Sequence, residues 1–195
     1  MKLCIFDVGG VMVDGFNVGP QIAQQFDMTL EELRPLLEDA GYELLHTGRI
    51  SSPEFWDRFR ANTGLPVHDE YWGTFFRPTR RPRMYDLARR LKAAGARVVA
   101  GTNTLDAHYR IHQEQGDYDV FEHTYASNLI HVAKPDPAFY RHILDAEGVP
   151  AQDALFIDDH PVNVEAAAAL GIHAILFESE DDAIAKVERW VGVGA

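Results

Sequence analysis

Acidic side chains directly follow two apolar segments of this sequence, at positions where they could do chemistry. Asp7 comes after residues 3–6, and the pair Asp158 and Asp159 comes after residues 154–157. The glycines that follow Asp7 let the backbone approach a ligand closely, which suits a carboxylate acting as a nucleophile. Adjacent carboxylates repel each other unless a cation binds, and oxygen ligands of this kind suit Mg²⁺. These residues therefore predict a nucleophile beside a metal site.

A third polar position, Thr102 and Asn103, follows the apolar segment 97–100. Taken singly, a polar residue at such a position is more often a turn or helix-capping residue than a catalyst. Asp7 could cap the glycine turn, and Asp158 with Asp159 could cap the helix after them. Three such positions in one chain favour a shared site over three separate caps.

The elements that must position these residues alternate between short apolar segments and amphipathic stretches, which is typical of parallel strands joined by crossover helices. We predict an α/β fold, a Rossmann-like open parallel sheet flanked by helices. The carboxyl ends of parallel strands lie on one edge, where ligands of such folds bind, so the three polar positions should converge there. Strands are expected at 3–6, 97–100, 124–126, 154–157 and 173–177, and helices around 84–91, 136–148 and 161–170.

About 90 residues separate the first two predicted strands, far more than a crossover needs. This stretch has helix signals of its own, since Thr29 and Glu32 fit a capping box and Ser52-Pro53 fits a helix start. We therefore predict a small α-helical cap domain inserted into the α/β core. The predicted boundaries are 15–82 for the cap domain, and 1–14 with 83–195 for the core domain.

Composition narrows the range of partners and locations. With 18 Lys and Arg against 30 Asp and Glu, the formal net charge is −12, which disfavours nucleic acid as a partner. A small anion remains admissible, because local donors and a bound cation act within a screening length of about 8 Å. No stretch approaches 18 apolar residues, and the single Cys4 cannot form an intramolecular disulfide. We expect a cytoplasmic protein without membrane contact, either a monomer or a homodimer.

Four short motifs follow one another along nearly the whole chain. They are Phe6-Asp7-Val8-Gly9-Gly10-Val11, Val98-Val99-Ala100-Gly101-Thr102-Asn103, Lys134-Pro135, and Phe156-Ile157-Asp158-Asp159 with Asn163. This ordered set resembles the haloacid dehalogenase superfamily of hydrolases. The segment Gly48-Arg49-Ile50-Ser51 and the run from Lys134 to Tyr140 further resemble its sugar-phosphate phosphatase branch, which has a helical cap inserted after the first motif.

The resemblance implies roles for individual residues in phosphoryl transfer. Asp7 would attack phosphorus and form an aspartyl-phosphate, which water then hydrolyses. Thr102 and the backbone of Asn103 would donate hydrogen bonds to the phosphoryl oxygens, and Lys134 would pair with Asp7 and the transferring group. Arg49 could contact an anionic or hydroxylated substrate. The substrate expected on this basis is a small phosphorylated metabolite.

The resemblance also implies how Mg²⁺ would be held. Its ligands would be the Asp7 carboxylate, the backbone carbonyl of Gly9, and Asp159. Asp158 would be an alternate ligand, or it would contact the ligating residues without touching the ion. Asn163 would contact the ion through a water molecule.

Gly9 departs from the usual phosphatase pattern, which has at that position a second Asp that protonates the leaving oxygen and activates water. General acid–base catalysis contributes about 10²–10⁴ in rate, so we expect a slower enzyme, a good leaving group, or a donor from elsewhere, with His46 and His160 as candidates.

Three hypotheses about function follow. The favoured one is a Mg²⁺-dependent phosphomonoester hydrolase acting on a small sugar phosphate or similar metabolite. The second is a metal-independent 2-haloacid dehalogenase-type hydrolase in which Asp7 attacks carbon, against which Asp158 and Asp159 argue. The third is a binding or regulatory domain that lost turnover with Gly9.

Overall fold

The computed structural model describes residues 1–192 and contains one five-stranded parallel sheet with helices on both faces. This arrangement confirms the predicted α/β fold. The strands are β1 (Leu3–Phe6), β2 (Val13–Asp14), β3 (Thr79–Arg80), β4 (Arg97–Thr102), β5 (Thr124–Ala126), β6 (Ala154–Asp158) and β7 (His173–Leu176). The sheet has the order β5-β4-β1-β6-β7, and β2 with β3 forms a separate antiparallel ribbon.

Helix signals in the sequence are matched by the helices of the structure. The Thr29 side chain accepts a hydrogen bond from the backbone N–H of Glu32 in a complete capping box, and Gly148 ends the predicted helix in a left-handed conformation. In residues 1–192, every helix is too short or too polar to cross a bilayer. The helices are α1 (Gly19–Gln25), α2 (Leu30–Asp39), α3 (Tyr42–His46), α4 (Ser52–Thr63), α5 (Tyr71–Phe75), α6 (Pro82–Ala93), α7 (Asp106–Glu114), α8 (Ser127–Ile130), α9 (Pro137–Glu147), α10 (Pro161–Ala169) and α11 (Glu180–Val191).

The central strand β1 is buried along its whole length and contributes side chains to the apolar clusters on both faces of the sheet. Cys4 and Phe6 pack into an apolar cluster with side chains of α6 and α11, whereas Leu3 and Ile5 pack into a second cluster with side chains of α9. This alternation follows from the two-residue period of a strand. Burial on both faces explains why the strand is continuously apolar.

Helices α1 to α5 lie between β1 and β4 and pack around an apolar cluster of their own. The ribbon of β2 and β3 joins this insertion to the sheet. Just beyond the ribbon, Gly15 has φ +70°, and a Cβ there would lie 2.7 Å from the backbone oxygen of Arg77, so glycine suits this close crossing. The ribbon was not predicted, because two-residue strands carry no periodic signal. The division into a core and a cap at 15–82 stays a proposal.

The register of the sheet brings the three polar positions to one edge. Phe6 pairs with Ala100 on one side and with Ile157 on the other, so Asp7 emerges level with the ends of β4 and β6. Both neighbours extend beyond their predicted ends, because Thr102 still pairs with β5 and Asp158 still pairs with β7.

Candidate active site

Lys134 lies between two carboxylates at this edge of the sheet. Its Nζ is 2.8 Å from Oδ1 of Asp7 and 2.7 Å from Oδ2 of Asp158, and its side chain is 1% exposed. The Asn103 side chain holds the backbone of Lys134 in place, since its Nδ2 donates to the Lys134 carbonyl and its Oδ1 accepts from the Lys134 N–H, both at 2.8 Å. Four segments of the chain therefore meet in one buried ionic cluster.

Burial and charge act against each other in this cluster. Burial raises the pKa of Asp7 to about 7, although the Lys134 ammonium favours its ionised form. Burial would lower the pKa of Lys134, but the carboxylates of Asp7 and Asp158 outweigh it and the pKa is raised. Lys134 is therefore held as a cation beside the Asp7 carboxyl group.

Asp158 has all of its acceptor capacity engaged by protein donors. Its Oδ1 accepts from the backbone N–H of His160 at 2.8 Å and from Nδ2 of Asn163 at 3.0 Å, while its Oδ2 accepts from Lys134. The residue is completely buried. Asp158 thus anchors Lys134 from the side away from Asp7.

Asp159 differs from its neighbour because one of its buried oxygens accepts no hydrogen bond from the described residues. Its Oδ1 is buried without a hydrogen bond among the described residues, and burial raises its pKa. Carboxylate oxygens of Asp7, Asp158 and Asp159 lie within 4.8 Å of one another. Gly10 makes this approach possible, since its φ is +79° and a Cβ there would lie 2.2 Å from Oδ2 of Asp159. An all-oxygen donor set with an unpartnered buried oxygen fits a hard dication such as Mg²⁺.

A cavity of about 450 Å³ opens above the cluster, between the sheet edge and the inserted helices. The predicted residues that line it are Asp7, Gly9, Thr102, Asn103, Lys134, Asn163, His46 and His160. Asp158 and Asp159 are not among the lining residues. The structure therefore brings the predicted nucleophile, cation and phosphate donors to one concave surface, which is where ligands of open α/β sheets bind.

Arg49 is the predicted site residue that lies outside both the cavity lining and the ionic cluster. Its exposed side chain reaches the backbone oxygen of His131, 3.4 Å from Nη2, and does not belong to the cavity lining. The cavity gives no support to the predicted contact between Arg49 and substrate.

Position 9 is covered by an aromatic ring that sequence reasoning missed. A Cβ on Gly9 would lie 3.1 Å from the ring of Phe16, closer than ordinary van der Waals contact, and Phe16 itself lines the cavity. The carboxylate absent from position 9 is thus replaced by an apolar neighbour. No local signal predicts this, because the contact depends on how the insertion folds back over the sheet.

Of the two histidines predicted as proton donors, only His46 is enclosed by the insertion. Its ring stacks on Tyr42 with centroids 5.0 Å apart, and burial lowers its pKa to about 4, so the imidazole is neutral at pH 7. His160 is exposed, with Nε2 3.9 Å from Oδ1 of Asp159.

Ser127 is a second residue that sequence reasoning missed. Its buried hydroxyl donates to the backbone oxygen of His46 at 2.7 Å and accepts from the N–H of Thr104 at 2.9 Å, while Nδ1 of His131 lies 2.9 Å from the backbone oxygen of Thr47. These contacts dock the end of α3 onto the sheet edge. A lone serine outside any motif gave no sign of this role.

Comparisons with known proteins identify the family. A family model described as haloacid dehalogenase-like hydrolase matches residues 1–171. The sesquiterpene phosphatase astK of Aspergillus oryzae is 33% identical over 177 residues, which are 88% of this chain and 87% of that protein.

Two solved structures share the fold over most of their length. A HAD family enzyme of Bacteroides thetaiotaomicron, in complex with magnesium and inorganic phosphate, is 25% identical with a TM-score of 0.70, covering 90% of this chain and 93% of that one. An L-2-haloacid dehalogenase also has a TM-score of 0.70, at 20% identity, covering 96% of this chain and 99% of that one. The likeness to the dehalogenase shows a common fold alone.

Proposed function

This chain belongs to the haloacid dehalogenase-like hydrolases, and we propose that it is a Mg²⁺-dependent phosphomonoester hydrolase that works through an aspartyl-phosphate. The observation that carries the proposal is the Asp7 carboxyl group on the cavity surface, 2.8 Å from the buried Lys134 ammonium and within a cluster whose Asp7, Asp158 and Asp159 oxygens lie within 4.8 Å of one another. The substrate is a small phosphorylated metabolite. A phosphatase relative of similar length, astK, supports this class of substrate.

Each residue of the site has its own role in the proposed reaction. Asp7 attacks phosphorus, an O–P bond to Asp7 forms, and the bond from phosphorus to the leaving oxygen breaks. Lys134 stabilises the negative charge on the transferring oxygens, and the Thr102 hydroxyl with the Asn103 backbone N–H donates to them. The leaving oxygen takes a proton from water. Water then attacks the same phosphorus, which frees inorganic phosphate and restores the Asp7 carboxylate.

The donor set supports Asp7 and Asp159 as residues that would hold Mg²⁺, and the family resemblance adds the Gly9 carbonyl. Asp158 is already engaged by Lys134 and Asn163, so we assign it the role of positioning Lys134. When bound, the cation would neutralise negative charge at the attacked phosphoryl group.

Gly9 provides no acid, and Phe16 fills the adjacent space, so protonation of the leaving oxygen is the weakest part of this machinery. His46 and His160 stay predictions for that role. A cytoplasmic location and a monomeric or homodimeric state also stay predictions.

The dehalogenase hypothesis is the second candidate, since Gly9 leaves the site without a second catalytic carboxylate. Carbon attack needs no metal, however, and does not explain a buried oxygen of Asp159 without a partner. A chelator separates the two hypotheses, because carbon attack should survive metal removal.

The test is phosphate release from phenyl phosphate, with and without Mg²⁺. Asp7→Asn should lower kcat by about 10³-fold or more, because the nucleophile is lost. Asp145→Asn, which changes an exposed aspartate on α9, is the matched control and should leave kcat unchanged. Equal activity of Asp7→Asn and wild type would exclude this mechanism. Absence of turnover by the wild type would favour a binding domain.

A further inference from the structure

The two walls of the cavity differ in chemistry. The sheet edge supplies the polar groups already described, whereas the wall facing it is built mainly from apolar side chains of the insertion. These are Phe16, Val18, Leu30, Leu37, Trp72 and Phe76. A sugar hydroxyl placed against such side chains would lose its hydrogen bonds to water without regaining them, while a hydrocarbon group would gain by leaving water.

Two histidines on the core side of this wall each have one ring nitrogen engaged by the protein. Nε2 of His108 lies 3.0 Å from the backbone oxygen of Trp72, and its ring stacks on Phe76 with centroids 3.8 Å apart. Burial lowers the pKa of His108 to about 3, so this ring is neutral. Nδ1 of His112 is engaged by Asp117 at 2.7 Å. Each ring therefore keeps only one nitrogen for a ligand.

Charged side chains of the insertion lie at the rim of the cavity. Arg34 and Glu38 line its edge from the exposed face of α2, where they remain in contact with water. Tyr42 and His46 turn stacked rings toward each other at an interplanar angle of 27°. The cavity is therefore polar at its floor and at its rim, and the insertion lines it mainly with apolar side chains, among which Asn17 and Nε1 of Trp72 are polar.

The Phe16 ring places apolar surface next to the reacting group itself. It contacts position 9, where the usual phosphatase pattern has the acid that protonates the leaving oxygen, so it lies on the leaving-group side of Asp7. Building on the phosphatase function, we propose that the leaving group is apolar: an alkyl, alicyclic or aryl alcohol rather than a sugar. A volume of about 450 Å³ accommodates a phosphate together with a hydrocarbon group of ordinary ligand size.

The first test compares kcat/KM along a series of n-alkyl phosphates from ethyl to octyl, with a glucose phosphate as the polar comparison. Complete burial of a methylene corresponds to about a fourfold change in an equilibrium constant, and we expect roughly twofold per methylene because the cavity is partly open. Octyl phosphate should exceed the glucose phosphate by at least about tenfold. A flat or falling series, or a preference for the sugar ester, overturns the apolar assignment and leaves the phosphatase function standing.

A failure of the phosphatase function has a different signature. If phenyl phosphate and every other ester remain unhydrolysed with Mg²⁺ present, the proposed function and the apolar leaving group are both overturned. Binding gives an independent readout, because Trp72 lines the cavity and its fluorescence should change when octylphosphonate binds. Ethylphosphonate at the same concentration should change it much less, and equal changes count against the proposal.

Leu30→Gln tests the apolar wall itself. Leu30 is half-buried at the start of α2 and lines the cavity, so the variant should lower the ratio of kcat/KM for octyl phosphate to that for ethyl phosphate by about tenfold. Leu36→Gln is the matched control, since Leu36 is a half-buried leucine of the same helix that packs against the insertion's cluster outside the cavity. It should keep the wild-type chain-length dependence. Equal loss in both variants overturns the assignment.

Discussion

The Phe16 ring lies where a side chain on position 9 would begin, so the missing acid and the apolar neighbour are two parts of one local arrangement. The residues at the strand ends were predictable, because parallel strands present their carboxyl ends at one edge. Asp7 and Thr102 follow from that rule. Two contacts do not follow from that rule: the contact of Phe16 with position 9, and the pairing of Asn103 with the Lys134 backbone. Both depend on segments that meet only in the folded chain.

Position 9 and Phe16 should be energetically coupled. Gly9→Asp alone should lower the free energy of unfolding by about 1–3 kcal/mol, because its Cβ would crowd the ring. Adding Phe16→Ala should make the double variant more stable than the sum of the single effects by about 1 kcal/mol, as urea denaturation would show. Phe75→Ala, which truncates a half-buried ring of α5, should combine additively with Gly9→Asp. Additivity in both pairs would contradict the contact.

The same pair of variants reports on catalysis. With the ring removed, the new carboxylate has room to act as an acid, and general acid catalysis is worth about 10²–10⁴ in rate. We expect the double variant to hydrolyse ethyl phosphate, which has a poor leaving group, at least about tenfold faster than Phe16→Ala alone. Equal rates would mean that position 9 does not face the leaving oxygen.

At the scale of elements, the sequence predicted most but not all of what carries a periodic or capping signal. The five sheet strands and the helices α2, α4, α6, α9 and α10 were expected, whereas α7, the ribbon of β2 and β3, and the amphipathic, Ser179-capped α11 were not. Helix α7 has only nine residues and buries just Ala107 and His112, so its apolar stripe is too weak to read. Many contacts between elements are made by single side chains, and the periodicity of a sequence does not reveal them.

Glu147, the last residue of α9, makes such contacts with two strands. Its carboxylate is 5% exposed and accepts from Nε of Arg97 on β4 at 2.7 Å and from the Tyr125 hydroxyl on β5 at 2.8 Å. Burial raises its pKa, but the hydrogen bonds from Arg97 and Tyr125 outweigh burial and hold the pKa below its ordinary value. Glu147→Gln should therefore lower the free energy of unfolding by about 1–3 kcal/mol at pH 7.

The pH dependence of that loss has a definite sign. The pKa of Glu147 is lower in the folded chain than in the unfolded chain. Its ionised carboxylate therefore contributes to the free energy of unfolding above about pH 4.3, and this contribution is lost as the pH falls through the pKa of the folded chain. The gap between wild type and Glu147→Gln, measured by urea denaturation, should shrink below that pH. The exposed Glu178→Gln should stay within about 0.5 kcal/mol of wild type throughout. A gap that widens in acid would refute the assignment.

Across the whole molecule, the site exists only because the insertion is docked on the sheet. Ser127 bonds to the backbone of His46, 81 positions away, and a Cβ on Gly48 would lie 2.0 Å from the backbone oxygen of Asn128. Local sequence patterns do not reach across such distances, so the existence of an insertion was predictable and its docking was not. The cavity, its apolar wall and the cover over Gly9 all follow from that docking.

A bound cation should stabilise the entire fold, because the carboxylates that would hold it are crowded in its absence. At ten times its Kd, Mg²⁺ should add about 1.4 kcal/mol to the free energy of unfolding, which for a chain of this size raises Tm by about 3–6 °C. Asp159→Asn should abolish that shift while remaining at least as stable as wild type without metal, since it removes a half-buried charge. Asp145→Asn should keep the shift. A scanning-calorimetry series showing equal Mg²⁺ shifts in wild type and Asp159→Asn would remove Asp159 from the metal site, because the ion would then be held without it.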